Sequence, residues 1–177
     1  MIGSMKNIEL RASLLAKSYC TKKKGSIDVE EIAKKLGLQV SEHDLGENVS
    51  GVLYIDKGKG VIGYNKHESE VRRRFTIAHE IGHFILHRLD NEIFVDKKAF
   101  KGLYRDDNSA TGEIKQEREA NAFAAALLMP RERILQELEK VPFDLSDEKE
   151  DAITKLSETF NVSSQAMMYR ISKLRLF

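Results

Sequence analysis

His79-Glu80-Ile81-Gly82-His83 is the stretch of this chain whose residue types and spacing could do chemistry. It reads H-E-x-x-H, and on a helix two histidines four residues apart lie one above the other on a single face. Both imidazoles can then point at one divalent cation, and Glu80 sits where it can take a proton from an attacking water. That is the core of a hydrolytic site, provided the stretch is a helix and a third ligand comes from elsewhere.

The flanking residues support a helix. Asn65 followed by Glu68 has the spacing of an N-cap with a reciprocating acid. Glu68 and Arg72, and Glu70 and Arg74, are i,i+4 pairs with the acid first, the stabilising order. Val71, Phe75, Ala78, Gly82 and Ile85 recur at helical spacing and form an apolar stripe. Arg72-Arg73-Arg74 is offset by nearby glutamates and reads as a solvated face rather than a nucleic-acid patch.

A catalytic zinc takes three protein ligands and keeps one open position. His87 extends the 79, 83 ladder, but eight residues of helix climb about 12 Å, too far for three rings on one ion with bonds of about 2 Å. His87 therefore reads as a helix C-terminal residue favoured by the dipole. The better source is Glu117-Arg118-Glu119-Ala120-Asn121, at the start of a second helix where Glu117, Asn121, Ala124 and Leu128 share a face. The small residues in Ala122-Phe123-Ala124-Ala125-Ala126 would let this helix approach the first closely. Glu117 could then reach the metal, and Asn121, one turn on, could hydrogen-bond the far nitrogen of a ligating histidine and fix its tautomer. Glu119 is the competing ligand, but it lies about 160° from Asn121 by the 100° step and otherwise reads as an exposed acid near a helix N-terminus.

These two blocks, Arg74 through His83 and Glu117-x-Glu119-Ala120-Asn121-x-Phe123-Ala124-Ala125-x-Leu127-Leu128-Met129-Pro130, resemble the ImmA/IrrE family of metallopeptidases. The resemblance covers residues 28–175. It implies a gluzincin-like zinc site with His79, His83 and Glu117 as ligands and Glu80 as general base. It also implies an intracellular protease, of the kind found in mobile elements, phages and stress-response operons, that cuts a helix-turn-helix repressor. Some relatives carry a further C-terminal sensor-like domain. The sequence in hand ends at Phe177, which leaves built-in signal sensing in doubt.

The 177 residues are enough for one domain with a real core. Lysine and arginine number 29 against 28 acids, so net charge offers no general attraction to nucleic acid or to an anionic membrane. The longest nearly apolar run, Ala122 to Met129, is too short to span a bilayer. No charged-then-apolar leader is evident, and the single Cys20 cannot form an internal disulfide, so a cytoplasmic protein is expected. Cys20 has no His/Asn pattern around it and reads as an ordinary helix residue.

Ahead of the motif, Ile8 to Lys23 has apolar residues at 8, 10, 14, 15 and 19, a helix ending near a lysine run and Gly25. Asp28 caps a second helix, Val29 to Leu36, stopped by Gly37. Three short strands follow, Leu38 to His43, Gly51 to Asp56 and Gly60 to Tyr64, the last two joined by a Lys57-Gly58-Lys59 hairpin signal. Val52-Leu53-Tyr54-Ile55 is the candidate for an edge that pairs with an extended substrate backbone; an ordinary core strand is the alternative. Residues 90–112 connect the two site helices. Their polar, turn-rich middle, 101–109, reads as an exposed loop bordering the cleft, where Tyr104 or Arg105 could donate to a tetrahedral oxyanion. His43 and His67 are weaker candidates near strand ends.

Pro130 opens a helix from Arg131 to Lys140, ended by Val141-Pro142. Ile153 to Phe160 and Ser164 to Leu174, around Asn161-Val162-Ser163, then resemble a helix-turn-helix. As a DNA reader its second helix would present Gln165, Tyr169, Arg170 and Lys173, a thin basic face. A packing role through Met167, Met168, Ile171 and Leu174 is preferred, and DNA binding is not expected.

Taken together, an α+β fold is expected: a mostly helical zincin-like domain over 5–140 with a small three-stranded sheet, and a helix-turn-helix-like helical pair over 141–177 packed on it as a single unit. The expected activity is zinc-dependent endoproteolysis of a specific protein, with a helix-turn-helix repressor as the candidate substrate; Mn²⁺ or Fe²⁺ suits similar ligands. The alternatives are a non-catalytic anti-repressor module with a structural metal, and a DNA-binding regulator. The oligomeric state is not legible.

Overall fold

A computed structural model describes residues 5–19, 26–89, 92–97, 112–140 and 149–176. Two N-terminal helices come first, α1 (Met5–Ser18) and α2 (Val29–Lys35). α1 buries Ile8, Ala12 and Ala16, with Leu15 and Tyr19 partly covered, while Leu10 and Leu14 stand more than half exposed. Small alanines, not the leucines, form the face that lies against a later helix, because they let two backbones approach. Asp28 caps α2 as expected, its Oδ1 accepting the Glu31 N–H at 2.9 Å. Gly37, at φ +79°, ends it.

Four strands follow the order β1-β3-β2-β4 across one sheet: β1 (Leu38–His43), β2 (Val49–Asp56), β3 (Lys59–Asn65) and β4 (Ile93–Lys97). β1 runs parallel to β3, and β2 runs antiparallel to both its neighbours. Lys57 and Gly58 turn the β2–β3 hairpin with φ of +48° and +79°, the pair of left-handed residues that a two-residue type I′ turn needs. β4 is the element missing from the sequence reading. It falls in the 90–112 connection, where Ile93-Phe94-Val95 is only three apolar residues long, and it is stabilised mainly by pairing with β2. Its presence also moves the edge. Val52 to Ile55 lies inside the sheet between β3 and β4, so it is a core strand, with Leu53 wholly buried.

Helix α3 (Glu70–His87) runs beneath the sheet and carries the H-E-x-x-H stretch. Its N-cap is Ser69, which accepts from the Arg72 N–H, not Asn65. Asn65 instead closes the end of β3. Its Nδ2 donates to the Gly46 and Val49 carbonyls, and its Oδ1 accepts the His67 N–H. The arginine run is not a solvated face: Arg72 donates to Ser50 Oγ and to the buried Asp96 on β4, and Arg74 reaches the Asn161 carbonyl.

Helix α4 (Gly112–Leu128) packs along α3 and also against α1. At the crossing, a Cβ on Gly82 would lie 3.2 Å from both Cα and O of Ala120, so a glycine facing an alanine sets the close spacing of the two helices. Pro130 precedes α5 (Arg131–Leu138), and Val141-Pro142, expected to end it, lies outside the described residues.

The C-terminal pair is α6 (Lys149–Phe160) and α7 (Ser164–Leu174). Asn161 turns between them at φ +51°, a conformation asparagine tolerates, and Ser163 caps α7 by accepting the Ala166 N–H. Met167 and Ile171 are buried as expected, but Met168 is 56% exposed. Arg170, offered above as a groove reader, is buried: it donates to the Met129 carbonyl and forms a two-pronged ion pair with Glu9 of α1. No described helix is long and apolar enough to cross a membrane.

Candidate metal centre

α3 and α4 bring three ligand atoms to one point. Glu117 Oε2 lies 3.3 Å from His79 Nε2, Glu117 Oε1 lies 3.1 Å from His83 Nε2, and the two Nε2 atoms are 3.0 Å apart. Both histidine side chains are about 1% exposed and Glu117 is 14% exposed. The carboxylate and, in the tautomers that carry hydrogen on Nδ1, the two Nε2 atoms offer lone pairs crowded at distances that suit a shared cation. His79, His83 and Glu117 fit a metal by that criterion, and their donor types suit Zn²⁺.

Glu80 adds a second observation. It is fully buried, and neither carboxylate oxygen has a hydrogen-bond partner among the described residues. Buried carboxylates without partners are costly, so such a group points toward something it is kept ready to meet. β2 passes directly against it. A Cβ on Gly51 would come within 2.3 Å of Thr76 Cγ2 and 3.1 Å of Glu80 Oε1, so only glycine lets the strand lie over this turn of α3.

The far nitrogens of the two histidines are also held. Asn121 Oδ1 lies 3.1 Å from His79 Nδ1, the contact expected of it. On His83 the arrangement differs from expectation. His87 Nδ1 stands 3.2 Å from His83 Nδ1, and His87 Nε2 stands 2.9 Å from Glu119 Oε2. His87 is therefore not a solvated helix end, nor Glu119 an exposed acid; they are 3% and 7% exposed. The axial rise of the helix kept His87 off the expected ligand set but gave no sign that α4 would cross close enough for Glu119 to meet it. The His83 ring stacks on Phe94 of β4, with centroids 4.5 Å apart.

The protein's own charges polarise the cluster. Burial pushes the Glu80 carboxyl up to about 8, helped by Asp96 and Glu117 and opposed by His79. His83 is pushed down to about 4, chiefly by burial. For His79, burial works downward but is outweighed by its hydrogen bond to Glu117 and the charges of Glu80, Asp96 and Glu117, which hold it up at about 9. Glu117 is likewise raised by burial, yet its bonds to His79 and His83 carry it well below the usual carboxylate range.

Tyr104, Arg105, the 101–109 loop and Cys20 lie outside the described residues. His43 bonds Ser41 Oγ and His67 bonds Asp44, both away from the cluster.

An α+β chain with an H-E-x-x-H helix and a carboxylate supplied by the next long helix has the architecture of a metallopeptidase. The family pattern of the IrrE N-terminal-like domain, peptidase family M78, matches residues 33–172, and the chain belongs to this ImmA/IrrE family. It is 28% identical to the metallopeptidase ImmA of Bacillus subtilis (strain 168) over 153 residues, covering 86% of this chain and 80% of that protein. It is 29% identical to an uncharacterized immunity region protein 2 of Bacillus phage phi105 over 117 residues, 66% of this chain and 67% of that one. A solved structure of a Mycobacterium tuberculosis transcriptional regulator shares the fold, with a TM-score of 0.63 and 19% identity. The match covers 94% of this chain but only 47% of that one, so the chain spans about half its length.

Proposed function

We propose that this protein is a zinc-dependent endopeptidase acting in the cytoplasm on a specific protein substrate, a helix-turn-helix repressor. The observation that carries the reading is the convergence of His79 Nε2, His83 Nε2 and the Glu117 carboxylate beside a buried, unpartnered Glu80. His79, His83 and Glu117 hold the ion, with Mn²⁺ or Fe²⁺ as chemically similar occupants. The bound ion supplies Lewis acidity that polarises the scissile carbonyl and the attacking water. Glu80 takes the proton from that water and passes it to the leaving amine, a role suited by its burial and its unpartnered oxygens. Asn121 accepts from His79 Nδ1–H and keeps that ring turned toward the ion. The oxyanion donor is proposed to come from the 101–109 loop, with Tyr104 and Arg105 as candidates.

The name of the Bacillus subtilis relative supports the peptidase activity, and the immunity-region name of the phage relative supports a repressor as substrate. The buried base favours catalysis over a binding module, since a purely structural metal needs no unpartnered acid beside it.

The test is incubation of the zinc-loaded protein with the helix-turn-helix regulator encoded nearest its gene, alongside Glu80→Gln. A single cut made by the wild type, slowed by about 10²–10⁴-fold in Glu80→Gln with metal retained, is the expected result. Cleavage at an equal rate by both proteins would remove Glu80 from the reaction. Stable co-purification without any cut would favour sequestration instead.

A further inference from the structure

We propose that Glu119 and His87 are positioning residues that fix the tautomer of His83, so that its Nε2 is presented with a free lone pair to the cation. The inference rests on the proposed metal-ligand role of His79, His83 and Glu117 and extends it to two residues that touch neither the ion nor substrate.

Hydrogen-bond arithmetic carries the argument. His83 Nδ1 and His87 Nδ1 are 3.2 Å apart, and two imidazole nitrogens bond only when one bears hydrogen and the other a lone pair. Geometry at that contact alone allows either direction. The other end of His87 decides it. His87 Nε2 lies 2.9 Å from Glu119 Oε2, and a carboxylate oxygen can only accept, so the hydrogen of a neutral His87 ring is on Nε2. Its Nδ1 is then bare and must accept from His83 Nδ1–H. A neutral His83 with hydrogen on Nδ1 has none on Nε2, the atom facing Glu117 and His79. One carboxylate thus sets proton positions across two rings.

The surroundings shield these bonds. His83, His87 and Glu119 side chains are 1%, 3% and 9% exposed, so bulk water does not compete for these bonds. Stacking on Phe94 holds the His83 ring plane. The two ligand histidines are consequently oriented by different means: His79 by the side-chain amide of Asn121, His83 by a histidine backed by an anion.

The test labels the full chain with ¹⁵N at histidine and records long-range ¹H–¹⁵N correlations, first with chelator and then with one equivalent of zinc. Zinc affinity is measured by chelator competition for wild type, His87→Asn and His87→Gln. Asparagine places Oδ1 near the position of His87 Nδ1 and keeps an acceptor for His83, whereas glutamine reaches toward Glu119 and leaves His83 Nδ1 unpartnered. Expected are hydrogen on His83 Nδ1 and on His87 Nε2 in the wild type. Zinc binding should stay within about threefold for His87→Asn and weaken about 10–100-fold for His87→Gln, the usual range for groups that orient a ligand. Hydrogen on His87 Nδ1 with a bare His83 Nδ1, or equal affinities for the two variants, overturns the proposal. A wild type that takes up no zinc at all would instead refute the metal reading, while the tautomer spectra would still decide the relay. Those wild-type spectra also decide it should either variant fail to fold.

Discussion

The α3–α4 pair and the α6–α7 pair are each two packed helices with polar side chains turned inward, and they use those side chains in opposite ways. Around α7, the polar side chains are taken up by bonds within the fold. Arg170 is bonded to Glu9 and the Met129 carbonyl, Ser163 caps the helix, and Ser157 and Ser164 hydroxyls meet at 3.2 Å. Between α3 and α4, the groups are left in an unfinished arrangement. Three groups that could ligate a metal face one point, and Glu80 is the only buried carboxylate among the described residues with neither oxygen bonded. Buried polar groups in native proteins are nearly always satisfied. The unpartnered Glu80 beside three convergent ligand groups therefore points to a ligand, whereas the fully engaged Arg170 points to architecture.

Several substitutions would sharpen or break that contrast. Glu117→Ala should give the largest effect, lowering zinc affinity by roughly 10³-fold or more because one of three ligands is lost, whereas Glu119→Ala should cost no more than about 100-fold. Chelator competition measures both, and the reverse order would exchange their roles.

The next effect is on stability and depends on pH. Glu80 is protonated in folded and unfolded states at low pH, and its folded pKa is raised from 4.5 to about 8. As pH rises above 4.5 the unfolded state loses its proton first, so Glu80 reduces stability progressively until about pH 8. With chelator present, Glu80→Gln should become more stable relative to wild type over that window, by a few kcal/mol at its upper end. A stability difference that stays flat from pH 5 to 8, measured by urea unfolding, would contradict the buried-acid description.

On the other helix pair, Arg170→Ala should destabilise by about 2–3 kcal/mol, since it leaves a buried carbonyl and a two-thirds-covered Glu9 without their partner. Lys173→Ala, at the exposed end of α7, should change unfolding free energy by less than about 0.5 kcal/mol. If Arg170→Ala were equally silent, the description of α7 as an architectural element would fail.

What could be read in advance follows the range over which each feature is determined. The α3 helix, the Asp28 cap, the Lys57-Gly58 turn and the α7 boundaries depend on neighbours a few residues apart, and they appear where the spacing places them. The convergence of Glu117 and Asn121 on the two histidines was accessible because helical phase and a run of alanines imply a close crossing. The features that escaped are set by contacts across the fold. β4 forms because β2 offers it a partner, and Asn65 is drawn from capping by carbonyls at Gly46 and Val49. Glu119 becomes a partner of His87 through a helix crossing that brings together residues 32 positions apart. The buried face of α1 is set in the same way: packing against α4 covers Ile8, Ala12 and Ala16 and leaves Leu10 and Leu14 exposed.

The most direct measurement is an anomalous-difference map from crystals grown with zinc, collected on both sides of the zinc absorption edge. One strong peak is expected about 2.0–2.2 Å from His79 Nε2, His83 Nε2 and a Glu117 oxygen, with an open position facing Glu80 and none of its ligands drawn from His87 or Glu119. Zinc-replete crystals with no peak at that point, or with His87 or Glu119 among the ligands, would contradict the assignment of this cluster as the catalytic metal centre.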